Sequence, residues 1–179
     1  MSIEKTIENI KKKLNNSTDI SSRIIKNKNK KIGYIFLESV ASDDKISDFL
    51  VKSLTNSKTK NINNSIYNSK LIKIDYKQIN YLLQSGFTII TEKELYATET
   101  KANLDRGIDE SKSEAIVRGP KDSFTENYMT NIGLIRKRIK DNNLVFDELK
   151  IGRRTKTKIS LTYINNIDRK STRLNSSHD

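Results

Sequence analysis

The chain has 179 residues, with 34 lysines and arginines against 22 acids, for a formal net charge of +12. Apolar residues make up 34% and aromatic residues 7%, enough for one ordinary core or two small ones. Cysteine is absent and the single histidine is His178, so disulfide frameworks, zinc sites built on those ligands, and Ser-His or Cys-His catalytic pairs are excluded from the rest of the chain.

Ile3, Ile7, Ile10 and Leu14 recur at helical spacing, so residues 1–17 are expected to form an amphipathic helix ending in an Asn15-Asn16-Ser17 linker. An apolar face four residues wide is small for membrane-surface binding and suits docking on its own domain or a neighbouring subunit. Residues 18–102 read as a first α/β subdomain. Strands are predicted over Asp19–Ile25 and Lys31–Leu37, turning at Asn27-Lys28-Asn29-Lys30. A helix over Asp43–Leu54 follows, with Asp43-Asp44 as its N-cap and Ile46, Phe49, Leu50 and Leu54 on one face. Thr55–Asn68 has little to bury and reads as a mobile loop. A helix over Asp75–Gln84 shows Tyr76, Ile79, Leu82 and Leu83 and stops at Ser85-Gly86. Phe87–Thr91 and Leu95–Thr100 form a hairpin about Glu92-Lys93. This alternation of elements predicts a small α/β or α+β sandwich. Residues 103–114, polar and containing Asp105, Asp109 and Glu110, read as a solvated linker.

Residues 115–167 read as the start of a second α/β subdomain. Arg118-Gly119-Pro120 is a turn holding the only proline, and Ser123 with Glu126 makes a capping box. Phe124, Tyr128, Ile132, Ile135 and Ile139 lie on one face of a predicted Ser123–Lys140 helix, about 27 Å long at ~1.5 Å per residue. Asp122 and Glu126 at its start, and Arg136, Lys137, Arg138 and Lys140 at its end, oppose the helix dipole. At about 100° per residue, Arg136 and Arg138 point apart, giving a collar of charge and no DNA-reading stripe. Asn131 sits inside the apolar face and is expected to bond backbone, for instance of the Gly119-Pro120 turn. Arg118 is expected to brace Glu126. Asp141-Asn142-Asn143 should stop the helix through an asparagine in the left-handed conformation. Strands Leu144–Ile151 and Lys158–Ile164 follow, with Ile159, Leu161 and Tyr163 alternating as in a half-buried strand. Their connection, Gly152-Arg153-Arg154-Thr155-Lys156-Thr157, is either a solvated turn whose arginines pair with nearby carboxylates or a site for phosphate or acidic lipid. With 6 glycines there is no dinucleotide or P-loop spacing. Residues 168–179 read as the translation of a sequencing adapter, so the chain is expected to stop inside its second subdomain.

The run from Ala115 through Tyr163 resembles the A-subunit family of bacterial spore germination receptors, the GerA family. The carrying words are RGP, an FTE helix start, a basic IRKRIK helix end, and GRRTKT before a strand. Arg118, Gly119, Pro120, Phe124, Thr125, Glu126, Asn131, Ile135, Arg136, Arg138, Ile139, Gly152, Arg153, Arg154, Thr155 and Lys156 match position by position. Lys121-Asp122 stands where the family often has Arg-Glu, and weaker resemblance reaches back to about Asp19. The resemblance implies two α/β subdomains forming the soluble N-terminal region of a receptor A subunit, the second incomplete in this chain. Independently of the resemblance, the lack of His and Cys outside the tail and of any phosphate-binding glycine spacing leads us to expect no enzyme activity, no cofactor and no metal. The resemblance further implies partnership with B and C subunits and with further A subunits, a membrane domain downstream, and residence at the spore inner membrane with this region on the cytoplasmic, core side. The expected role is subunit assembly and signal relay, with nutrients sensed chiefly by the B subunit.

Two rival readings follow from charge alone. A basic nucleic-acid module would bind DNA with a steep salt dependence, and an acidic-lipid module would pellet with anionic liposomes and not with neutral ones. Lysine, asparagine and isoleucine are high together, as an AT-rich genome writes them, so net charge weighs little and no nucleic-acid partner is expected.

Overall fold

The second strand of the chain is apolar on both faces, and that property sets the layers. The computed structural model describes residues 2–27, 30–56, 70–104 and 124–167. A helix α1 (Ile3–Lys13) leads into β1 (Ile20–Asn27) and β2 (Lys30–Leu37). Next come α2 (Asp43–Lys45), a π-helical stretch (Ile46–Val51) and α3 (Lys52–Asn56), which run on from one another. Then follow β3 (Ile72–Lys73), α4 (Ile79–Gln84), β4 (Phe87–Thr91) and β5 (Leu95–Glu99). The five strands make one sheet in the order β1-β2-β4-β5-β3, with every pairing antiparallel.

Successive strand side chains point to opposite faces. Ile35 and Leu37 of β2 and Ile89 of β4 therefore pack with Ile7 and Ile10 of α1, Leu14 at its C-cap, and Ile79 and Leu83 of α4. Ile32, Tyr34 and Phe36 of β2 and Ile90 of β4 pack on the other side with Ile46 and Leu50. Each fully buried aliphatic contributes about 1.5–3 kcal/mol of transfer free energy, so the two-sided burial of β2 and β4 is the main apolar gain of this sheet. The fold is α+β. After residue 124 come α5 (Tyr128–Arg138), β6 (Leu144–Ile151) and β7 (Thr157–Ile164). The last two pair as a separate hairpin, and Ile132 of α5 packs with Leu144 and Phe146 beneath it.

Several local expectations are corrected. Asn15-Asn16-Ser17 is no loose linker: both asparagines take positive φ, at 53° and 51°, and reverse the chain tightly while Ser17 is buried. The helix after Val40 is capped by Ser42, whose Oγ accepts from Lys45 N–H, so Asp43 and Asp44 occupy the first turn instead of the cap. The helix predicted from Asp75 begins at Ile79, and the short strand β3 had no sequence signal. The α5 helix is shorter than its periodicity suggested. Its N-cap is Asn127, whose side chain accepts from Thr130 N–H, which displaces the Ser123–Glu126 capping box. Its end is not an asparagine in the left-handed region: helical geometry stops at Arg138, and the Asp141 carboxylate accepts from Asn143 N–H to turn the chain into β6. On β7, Ile159 and Leu161 are exposed, where alternation suggested half-burial. The Asn27–Lys30 turn at residues 28–29, the Thr55–Asn68 loop from residue 57 on, the 103–114 linker from residue 105 on, and the adapter-like tail lie outside the described residues, as do the side chains of Phe49 and Leu54.

Two glycines permit close approach. A Cβ on Gly33 of β2 would come 2.5 Å from Ile3 Cγ2 and 2.8 Å from Ile7 Cδ1, side-chain atoms of α1 that can give way more readily than backbone. A Cβ on Gly133 of α5 would come 2.2 Å from the Ser39 carbonyl oxygen, which is backbone and cannot step aside cheaply. Gly133→Ala is therefore expected to destabilise by about 2–3 kcal/mol, despite the better helix propensity of alanine, and Gly33→Ala by less than about 1.5 kcal/mol. Urea titration of both variants checks this; a Gly33 variant as unstable as the Gly133 variant contradicts it.

Candidate functional site: the buried helix–sheet junction

Gly133 lets α5 lie directly against the turn after β2, and one turn of helix later the same face carries Arg136. That side chain is 1% exposed, and its partner Asp19, just ahead of β1, is 0% exposed. A buried guanidinium needs a carboxylate and hydrogen-bond acceptors, since taking both charges out of water costs several kcal/mol. Arg136 finds both through Nε and Nη2. Arg136 Nε donates to Asp19 Oδ2 at 2.6 Å and an Nη donates to Oδ1 at 2.7 Å, a two-pronged contact. Ser17 Oγ donates to Oδ1 at 2.8 Å and Ser39 Oγ to Oδ2 at 2.6 Å. Four donors thus meet the roughly four lone-pair sites of an ionised carboxylate.

The junction continues on both sides. Ser17 Oγ also accepts from Arg136 Nη2 and from Phe146 N–H, each at 3.0 Å. Thr18 N–H and its hydroxyl both donate to the Phe146 carbonyl, at 2.9 and 2.6 Å. The guanidinium carbon stands 4.8 Å from the centroid of the Phe146 ring, a cation–π distance. Gln84 at the end of α4 donates to Asn142 Oδ1, and Asn15 Oδ1 accepts from Asn165. Residues 15–19 are in this way bonded to β6, to Asn165 just past β7, and to α5. Burial pulls the Asp19 pKa upward, but the hydrogen bond and charge of Arg136, with the two serines, outweigh it and hold the carboxyl below its ordinary value of 3.8.

The sequence-selected residues fall in three places. Asn131 is half-buried and clamps Thr125, accepting from its N–H and donating to its carbonyl, both at 2.7 Å. The expected bond to backbone exists, to Thr125 ahead of the first turn of α5; the Gly119-Pro120 turn lies outside the described residues. Phe124 is 69% exposed; with Arg138, Leu134 and Ile135 it lines a shallow hollow of about 190 Å³, so it is not on the buried face. Glu126 is exposed ahead of the N-cap. Arg118, Gly119 and Pro120, and with them the proposed Arg118–Glu126 brace, lie outside the described residues. Arg136 is the largest correction: it is the buried half of an ion pair and no part of a solvated collar. Gly152, Arg153, Arg154, Thr155 and Lys156 form the exposed hairpin tip, far along the ribbon from the junction. Ser17, Asp19 and Ser39 were missed. The available signal was Arg136 four residues after Ile132, which puts it on the apolar stripe, where a carboxylate partner is obligatory. Among the described residues, no three His, Cys, Asp or Glu side chains gather where a metal ion could be held. No described helix is long and apolar enough to cross a membrane.

Comparison with known proteins adds a family match. The sequence model of the Bacillus/Clostridium GerA spore germination proteins matches residues 8–172. Spore germination protein B1 of Bacillus subtilis is 42% identical over 94 residues, covering 51% of this chain and 20% of that protein. Spore germination protein XA of Bacillus anthracis is 48% identical over 62 residues, covering 35% and 13% respectively. Spore germination protein KA of Bacillus subtilis is 27% identical over 181 residues, covering 93% of this chain and 33% of the relative. The chain thus spans a third or less of the length of these curated relatives. Among solved structures, the N-terminal domain of the A subunit of the Bacillus megaterium spore germinant receptor GerK3 superposes with a TM-score of 0.67 at 23% identity, covering 94% of this chain and 67% of that one.

Removing one partner of the pair strands the other charge in the interior. Arg136→Met and Asp19→Asn are each expected to cost about 3–5 kcal/mol, and the double variant less than the sum, because no lone charge remains. Asp19 has a folded pKa below its unfolded one, so its stabilising contribution is present above the ordinary aspartate pKa and is lost as pH falls through the folded value. Denaturant titrations of the four proteins between neutral and acid pH check both statements; strictly additive losses, or an acid limb unchanged in Asp19→Asn, would contradict them.

Proposed function

This chain belongs to the Bacillus/Clostridium GerA family of spore germination proteins, and on that premise we propose that it is the N-terminal region of the A subunit of a germinant receptor. The supporting observation is the length of the family match, nearly the whole chain, together with a fold shared with the N-terminal domain of one such subunit. In this reading the full protein continues into a membrane domain in the spore inner membrane, with the present region on the core side. It assembles with B and C subunits and with further A subunits, takes part in germination without enzymatic turnover, and uses no cofactor. Residues 18–102 and 115–167 are its two α/β subdomains.

The physical argument for relay rests on the junction. A signal carried between two packed units needs a contact that resists slipping, and a two-pronged buried pair with four satisfied donors resists both translation and rotation. Motion of the helix–hairpin unit would then be passed to the five-stranded sheet without loss in between. A nucleic-acid role is disfavoured by the same burial of Arg136. With Arg136 turned inward, the end of α5 has one surface cation fewer, and what remains is not a recognition face.

Spores lacking the intact gene are expected to lose ion release and loss of refractility in response to at least one nutrient. Rescue by the intact gene should succeed. Rescue by Arg136→Met, with protein level checked by immunoblot, should fail or be slowed at least tenfold. Normal nutrient responses in the deletion strain would remove the germination role, and normal kinetics with the accumulated variant would remove the relay.

A further inference from the structure

The hairpin is buried only at its junction end. Leu144, Val145 and Phe146 are inaccessible, whereas beyond Glu148 the two strands run on as an exposed ribbon. Register places Leu149 opposite Ile159, Ile151 opposite Thr157 and Asp147 opposite Leu161. Leu149, Ile151, Ile159 and Leu161 therefore share one face of the ribbon, and each is exposed. The tip carries Lys150, Arg153, Arg154, Lys156 and Lys158 within nine residues. Lys158 pairs with Glu148 at 3.2 Å, but the other four enter no ion pair among the described residues. The alternative in which the arginines are neutralised by neighbouring carboxylates is therefore not what the fold presents. The turn is also held in shape. Gly152 has φ +91°, Lys156 has φ +46°, and Lys156 N–H donates to the Gly152 carbonyl at 3.2 Å.

We propose that this tip is a membrane-surface contact, with Arg153, Arg154 and Lys156 of the turn among anionic phospholipid headgroups and Ile151, Leu149, Ile159 and Leu161 seated at the headgroup–acyl boundary, while Lys150 faces the other side of the ribbon. The occupant must offer negative charge around the tip and an apolar layer directly behind it, and an anionic bilayer surface offers both over a wide area. A second copy of this chain does not fit: each carries +12, and tip would meet like-charged tip. The proposal rests on the function proposed above, in which the full protein continues into a membrane domain. A basic residue near an anionic surface raises partition about fivefold, so three should give on the order of a hundredfold, falling with salt.

The 179-residue chain is incubated with phosphatidylcholine vesicles containing phosphatidylglycerol, and with phosphatidylcholine vesicles alone, and bound protein is measured after sedimentation. Binding to the anionic vesicles only is expected. Arg153→Glu with Arg154→Glu should weaken it at least tenfold, and Lys156→Glu should weaken it at least fivefold, so that misfolding of one variant would not decide the matter. Ile151→Ser with Leu161→Ser should weaken it while leaving its salt dependence in place. Equal binding to neutral vesicles, no binding to either, or indifference to both charge reversals would overturn the proposal. So would full displacement by soluble polyglutamate or inorganic phosphate, which would point to an acidic protein or a free anion. Vesicle binding and the spore phenotype are independent readouts, so failure of one leaves the other standing.

Discussion

The ion pair between Asp19 and Arg136 is the contact on which the arrangement of this chain depends. It joins residues 117 apart in sequence, at a place where no water can substitute for either partner. Its energetic character is asymmetric. The intact pair gains little over an apolar replacement, because desolvation offsets most of the attraction, but half a pair is severely unfavourable. Such a contact does less to make the fold stable than to make one arrangement of helix and sheet much better than its neighbours. Sliding α5 by one residue, or turning it by about 100°, would leave a guanidinium facing Phe146 with no carboxylate and a carboxylate facing two hydroxyls with no cation.

The rest of the junction follows from that requirement. Ser17 and Ser39 are short enough to reach the carboxylate without filling the space Arg136 needs, and the left-handed Asn15-Asn16 turn delivers Ser17 and Asp19 to it at the end of α1. Gly133 allows α5 to approach the Ser39 carbonyl, so a missing side chain on the helix and a serine on the sheet side are parts of one solution. The hairpin is then anchored at one end only. Phe146 is bonded through its backbone to Ser17 and Thr18 and lies under the guanidinium, while the far end of the ribbon projects its cations and four aliphatics outward. A fixed base and a free, charged tip suit a lever that reports on a surface it touches.

Much of the fold could be read from the chain because local and global preferences agree. The KKIGYIFL run is apolar on both sides and became the two-faced β2; Phe87–Thr91 and Leu95–Glu99 paired about their polar turn; the α1 stripe of Ile7, Ile10 and Leu14 found the sheet. Helix boundaries were less legible, since Ser123–Glu126 and Asn127 are rival caps a few residues apart and only packing of Thr125 under Asn131 decides between them. The candidate site was half visible. Arg136 stands out as a family word, but its place at the basic end of the helix reads as surface charge, and Asp19 reads as an ordinary strand lead-in. A buried pair is a relation between distant residues, and single-chain periodicity records only each residue's own neighbours. The exposure of Ile159 and Leu161 was likewise invisible, because alternation says that a strand has an apolar face and not that anything covers it.

Membership in the GerA family supplies the biological setting, and the junction supplies a physical reason why this region would move as one piece. The direct test of that rigidity is native-state hydrogen exchange on the chain and on its Asp19→Asn variant, which keeps the shape and removes the charge. If the pair is the lock, amides of α5 and of Leu144–Phe146 lose about a hundredfold or more of their protection, equivalent to roughly 3 kcal/mol, while those at the centre of β2 and β4 keep theirs. Equal loss everywhere, or no change in α5 and β6, would show that the two units are held together by something else.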